Sequence, residues 1–141
     1  MEIREGKGKR LSDPASVADL FQSILKAEDE NDHKKEHFWV IGLNGRLTVE
    51  YIELVSLGSL NASLAEPREI FRLAIVKSVA LLVVGHNHPS GDPTPSEDDL
   101  SLTKRLVEAG KIIGIRITDH IIIGEVGKYY SWSEQGLIKE E

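Results

Sequence analysis

A chain of 141 residues with a net charge of -6 and no cysteine is large enough for one domain with its own apolar core, needing no disulfide or metal to close it. Without cysteine there are no disulfides and no thiolate metal sites, so any tetrahedral centre must be built from His, Asp, Glu and water. The acidic balance disfavours non-specific duplex binding, which depends on neutralising phosphates. The absence of a basic-then-apolar leader or a membrane-length apolar run makes a soluble, cytoplasmic protein the expectation.

Residues 1–10 carry Arg4, Lys7, Lys9 and Arg10 and are read as a solvated, flexible N-terminal segment rather than a nucleic-acid arm. Asp13-Pro14 is a helix start, a capping side chain followed by proline at the first helical position. Val17, Leu20, Phe21 and Ile24 then give one apolar face over 15–27. The polar stretch 28–36 reads as a loop. Phe38 to Leu43 predicts a strand, Asn44-Gly45 a two-residue hairpin turn with positive φ, and Leu47 to Leu57 a long second strand ending at Gly58. The outer edge of that long strand is expected to be open for pairing with an extended peptide or a second copy.

Ser63 to Glu66 can cap a helix with Pro67 in its first turn and Ile70, Phe71, Ala74 and Ile75 as its apolar stripe. Ala80 to Val84 is too short for a helix and too uniformly apolar for an edge, so it reads as a central strand. A third helix is expected from Ser96 to Gly110, with Leu100, Thr103, Leu106 and Val107 on its packed face and Gly110 as terminator. Ile112 to Ile117, Ile121 to Ile123 and Tyr129 to Trp132 read as further strands. The order α-β-β-α-β-α-β-β fits a mixed sheet with helices packed on it, an α/β domain.

The most informative stretch follows the central strand. His86 and His88, one residue apart on chain leaving a buried strand, can direct their ring nitrogens into one small volume, and a carboxylate soon after can close the set. Neutral imidazoles and a carboxylate suit Zn²⁺, and three protein ligands leave a fourth position for water, the mark of a catalytic site. Pro89, Gly91, Pro93 and Pro95 make the following loop stiff, which suits ligands held at fixed distances. Ser96-Glu97-Asp98-Asp99 also fits a capping box that satisfies orphan amide donors. The two readings are compatible, because a helix N-terminus can hold Asp99 in its first turn while Glu97 and Asp98 face outward.

His86-x-His88-Pro89-x6-Ser96-x2-Asp99 resembles the His-x-His-x7-Ser-x2-Asp signature of the JAMM metalloproteases, the JAB/MPN domain superfamily. More narrowly, His86-Asn87-His88-Pro89-Ser90-Gly91-Asp92 with Pro95-Ser96, the upstream Pro67-Arg68-Glu69-Ile70-Phe71 and the downstream Asp119-His120-Ile121-Ile122-Ile123-Gly124 resemble the bacterial RadC family over residues 11–138. The resemblance implies a single JAB/MPN-like (cytidine-deaminase-like) domain with a curved mixed β-sheet flanked by helices. It implies a zinc-dependent metallopeptidase or isopeptidase in which Zn²⁺ is bound by His86, His88 and Asp99, and zinc-activated water attacks an amide carbonyl. Glu36 is the position matching the family's general base, and Ser96 the donor to the oxyanion; Glu50 and Glu53 are weaker matches for the base.

His33 and His37 are not expected to be ligands, and His120 is read as supporting the site rather than ligating. The expected partner is a peptide or protein substrate, with no membrane association. Relatives commonly carry a helix-hairpin-helix segment ahead of this domain, which this sequence lacks, so DNA contact through it is not expected. Two other readings stand beside the hydrolase: a DNA repair or recombination-associated metal-binding module, either nuclease or accessory, and a non-catalytic scaffold.

Overall fold

The computed structural model describes residues 1–58 and 66–139. In chain order the elements are β1 (Glu2–Ile3), α1 (Pro14–Lys26), α2 (Glu30–His33), β2 (Glu36–Leu43), β3 (Val49–Gly58), α3 (Pro67–Lys77), β4 (Leu81–Asn87), α4 (Glu97–Ile113), β5 (Arg116–Ile123) and β6 (Tyr129–Ser131). The strands form one sheet in the order β1-β3-β2-β4-β5-β6. β4 and β5 run parallel and the other neighbours antiparallel. This is the expected mixed α/β sheet, and β4 lies between β2 and β5, so its apolar run faces protein on both sides.

Alternation along the strands separates two cores. Phe38 and Val40 of β2 join Leu82, Val84 and Ile122 under α3 and α4, with Ile70, Phe71 and Leu106 from the helices. Trp39 and Ile41 point the other way and join Val83, Ile121 and Ile123 under α1, which contributes Val17, Phe21 and Ile24. Full burial of one aromatic or large aliphatic side chain contributes roughly 1.5–3 kcal/mol. The helices therefore clamp the sheet from both faces, and the face under α4 carries His86.

Several local expectations are corrected. Residues 1–10 are not a free end: Glu2 and Ile3 pair with Glu53 and Ile52, and Lys9 O accepts from Val49 N. The outer edge of β3 is thus covered along its first half, which removes the open edge expected there. The hairpin is no two-residue turn. Asn44 Oδ1 accepts from Arg46 N and Thr48 N, and Leu47 takes the left-handed conformation at φ 63° in a loop joining Leu43 to Val49. Residues 28–36 hold the one-turn helix α2, capped by Asp29, and β2 already starts at Glu36.

α3 begins after Glu66, which makes no side-chain cap; Ser63 lies outside the described residues. Ile75, expected in its stripe, is exposed. The buried face of α4 is Asp99, Leu102, Thr103, Leu106 and Gly110, and Leu100 lies outside it. The helix runs past Gly110 to Ile113 and ends where Gly114 adopts a left-handed φ of 86°. Gly110 is needed for a different reason, since a Cβ there would lie 2.4 Å from the Ile115 carbonyl oxygen. Ile112 and Ile113, expected in a strand, form the last turn of α4, and β5 is one continuous strand through Asp119-His120.

Candidate metal centre

β4 runs past Val84 to Asn87, which places His86 on the ladder itself, buried and directly across from Phe38 of β2. His86 Nε2 lies 3.1 Å from His88 Nε2. Asp99, in the first turn of α4, completes the triangle: Oδ1 is 3.2 Å from His86 Nε2 and Oδ2 is 3.2 Å from His88 Nε2. Ligand atoms around a tetrahedral Zn²⁺ with bonds of ~2.0–2.1 Å are spaced ~3.3 Å apart, so the three atoms stand close to the spacing a metal ion requires. Among the described residues no other group of three or more His, Asp or Glu converges in this way.

The loop between the two elements fixes the candidate ligands. His88 N donates to Ile123 O, continuing the parallel ladder, and Gly91 N donates to His88 O. Gly91 O then accepts from Glu125 N, and Gly124 lies so close that a Cβ on it would stand 2.2 Å from that oxygen. His88 Nδ1 lies 2.9 Å from the Asp92 carbonyl oxygen. A carbonyl can only accept, so Nδ1 carries the proton and Nε2 presents its lone pair to the centre when the ring is neutral. Asp92 is held in turn by Thr94 N and Oγ1.

The Ser96 segment forms the capping box and brings the Asp99 carboxylate to the histidines at once. Ser96 Oγ accepts from Asp99 N at 3.1 Å while Ser96 N donates to Asp99 Oδ2 at 2.9 Å, a reciprocal capping box. The cap orients the Asp99 carboxylate toward the histidines. Burial works against its charge, but without a metal the protons that His86 and His88 share with it hold its carboxyl well below the usual carboxylate range. The contact with Asp99 raises the His88 pKa against the opposing effect of burial, with a smaller contribution from the charge of Glu36.

Glu36 lies two residues before Phe38 on β2, so the Phe38–His86 pairing brings it level with His88 on the same sheet face. Ser96 is exposed at the rim. Glu50 bonds to Asn44 at the hairpin, and Glu53 is held by Arg72. His33 contacts Lys26 O, and His37 is buried with Nδ1 on Lys35 O, so neither joins the centre.

Three further residues surround the cluster: His120, read from the sequence as a supporting residue, and Thr103 and Asn87, to which the sequence assigned no role at the site. His120 Nε2 is 2.8 Å from His86 Nδ1, and Thr103 Oγ1 contacts both His120 Nδ1 and Asp99 O. Thr103 follows Asp99 by four residues, so helical spacing could have placed it beneath the ligand. Asn87, between the two histidines, points to the opposite face and bonds to Lys35 O and His37 N. Its role depends on the pairing of β2 with β4, which local spacing does not encode.

A mixed sheet clamped by helices, with a metal-capable His-His-Asp cluster at the end of its central strand, defines a JAB-type metal-binding domain. The family model described as "RadC-like JAB domain" matches residues 11–137. UPF0758 proteins are similar to most of this chain. That of Desulforamulus reducens is 52% identical over 114 residues, covering 81% of this chain and 50% of the relative. That of Alkaliphilus metalliredigens is 46% identical over 129 residues, covering 92% and 53% respectively. The chain belongs to the RadC-like JAB domain family. It spans about half the length of the curated relatives it matches. Among the described residues no helix is long and apolar enough to cross a membrane.

Proposed function

We propose that this domain is a zinc-dependent hydrolase of the JAMM type, cleaving an amide bond in a peptide or protein. The observation that carries the reading is the triangle of His86 Nε2, His88 Nε2 and an Asp99 carboxylate, with sides of 3.1, 3.2 and 3.2 Å. Packing three acceptors this closely in a largely buried site is costly unless a cation or shared protons lie between them. Two imidazoles and a carboxylate match Zn²⁺ in donor chemistry.

When bound, zinc supplies Lewis acidity, polarising a carbonyl and making water acidic enough to lose a proton near neutral pH. The surrounding side chains divide the remaining work. Glu36, level with His88 and partly exposed, takes a proton from the attacking water and delivers it to the amine nitrogen as the C–N bond breaks. Ser96 Oγ accepts from Asp99 N through a lone pair, which leaves its hydroxyl proton to be donated to the carbonyl oxygen as that oxygen gains charge. Water is thus divided between acid and amine products.

Elemental analysis of protein purified without chelator, beside His88→Ala prepared identically, tests the metal assignment. About one zinc per chain in the native protein and none in the variant is expected. A peptide library screened with Glu36→Gln as control tests the reaction. Zinc-loaded native protein that cleaves no peptide or isopeptide bond would overturn the hydrolase reading.

A further inference from the structure

We propose that His120 and Thr103 form a proton-ordering pair that fixes which nitrogen of His86 is free to bind the metal. The inference rests on the metal reading of the His86, His88 and Asp99 cluster. The starting point is the Asp99 backbone carbonyl, which can only accept. Thr103 Oγ1 lies 2.9 Å from it, on the next turn of α4. A hydroxyl has one proton, so when it is donated to Asp99 O the contact between Thr103 Oγ1 and His120 Nδ1 must be an N–H donated by the ring.

The rest of the chain of bonds follows. With its proton on Nδ1, neutral His120 presents a lone pair at Nε2, 2.8 Å from His86 Nδ1. His86 must then hold its own proton at Nδ1, which leaves Nε2 as a lone pair facing His88 and Asp99. The opposite arrangement would turn the Thr103 hydroxyl toward His120 and put a proton on His86 Nε2, inside the cluster and in the place of a metal. One turn of helix thus supplies a ligand through the Asp99 side chain and orders the protons of another ligand through the Asp99 carbonyl.

His120 is built to hold this position. It is fully buried and lies flat on Trp132 at 4.2 Å with 9° between the rings, and Phe38 meets it edge-on. Its backbone N–H donates to Asp119 Oδ1, and its backbone carbonyl accepts from Trp132 N. A buried ring stacked on Trp132, met edge-on by Phe38 and tied along its backbone cannot flip to exchange its nitrogens without repacking that wall. Both residues act through His86, as positioning residues rather than ligands.

The test uses zinc-loaded full chain and two readouts independent of turnover. Imidazole ¹⁵N spectra should show His120 protonated at Nδ1 and a scalar coupling across the bond from His86 Nδ1–H to His120 Nε2. Competition titration with a zinc chelator should show Thr103→Val weakened ~10–100-fold, the range for losing a group that orients a ligand, with Thr103→Ser restoring affinity.

Spectra with the His120 proton on Nε2 would overturn the proposal, as would equal zinc affinity in native protein and a folded Thr103→Val. Should Thr103→Val fail to fold, the native spectra decide alone. Native protein that takes up no zinc overturns the metal reading and this proposal together, whereas native binding with unaltered variants overturns only the proposal.

Discussion

Asn87 accepts the backbone N–H of His37 on its Oδ1 at 2.6 Å, and its Nδ2 donates to the Lys35 carbonyl at 3.0 Å. The two peptide groups flanking Glu36 are therefore gripped by the residue between the two histidines. Asn87→Ala is expected to retain zinc while lowering kcat on a cleavable peptide ~100-fold, the scale set by ~1 Å misplacement of a reacting group. Loss of a partner for the buried His37 N–H also costs ~1–3 kcal/mol of stability. Paired zinc analysis, kinetics and denaturant unfolding check it; undiminished kcat would remove the positioning role.

Glu36→Gln keeps the shape of the side chain and removes its basicity. The expected loss in kcat is ~10²–10⁴-fold, the usual contribution of general acid–base catalysis, with zinc stoichiometry unchanged because Glu36 lies outside the ligand triangle. Turnover at the native rate would require another base.

The cap made by Ser96 and the donor role proposed for its hydroxyl separate by choice of substitution. Ser96→Ala loses the cap on Asp99 N and should destabilise the domain by ~1 kcal/mol, whereas glycine at a cap costs only a few tenths. Both remove the hydroxyl donor, so both should lower kcat by ~10²–10³-fold if that hydroxyl meets the developing oxyanion. Thermal unfolding and kinetics on the pair distinguish helix capping from transition-state stabilisation.

In metal-free protein the contacts between Asp99 and the histidines should give a two-sided pH dependence. Asp99 is depressed in the fold, so its contribution is present above its unfolded pKa of about 3.9 and is lost as pH falls toward the folded value. His88 is raised, so its contribution is full below its unfolded pKa of about 6.5 and is lost as pH rises through the folded value. Denaturant unfolding across pH should therefore lose stability on both sides of that window, and Asp99→Asn should flatten both limbs. Bound zinc should remove the alkaline limb, since it takes His88 in its neutral form.

Gly124 touches no ligand but sets the loop that does. A methyl there would lie 2.2 Å from Gly91 O and 2.9 Å from Pro93 Cδ, pushing the His88–Asp92 turn off the end of β5. Gly124→Ala is expected to destabilise the domain by ~1–3 kcal/mol, as overpacking does, and to weaken zinc binding beside an intact sheet. Chelator competition on the folded variant measures the second effect.

Much of the fold was legible because its signals are local. The apolar stripe of α1, the capping box of α4 and the uniform run of β4 each announce an element within a dozen residues. The sequence offered Gly110 as the end of α4, but the left-handed terminator is Gly114. Gly110 is small because the returning chain at Ile115 passes over it. Asn44 misled in the same way: its side chain built the turn by bonding Arg46 N and Thr48 N, while Leu47 supplied the positive φ.

Local sequence was enough to single out the candidate donors. His86, His88 and Asp99 stand at a spacing that a strand end and a helix start can bring to one point, and the absence of cysteine narrows the chemistry to nitrogen and oxygen ligands. What surrounds that point came from contacts between distant elements. The β2–β4 register puts Glu36 level with His88, the Asn87 grip holds the chain beside it, and the His120–Thr103 pair lies behind His86. Each depends on strand pairing or on packing between elements far apart in the chain, and such contacts leave no periodicity to read because a sheet's register is set by its neighbours and not by the strand alone.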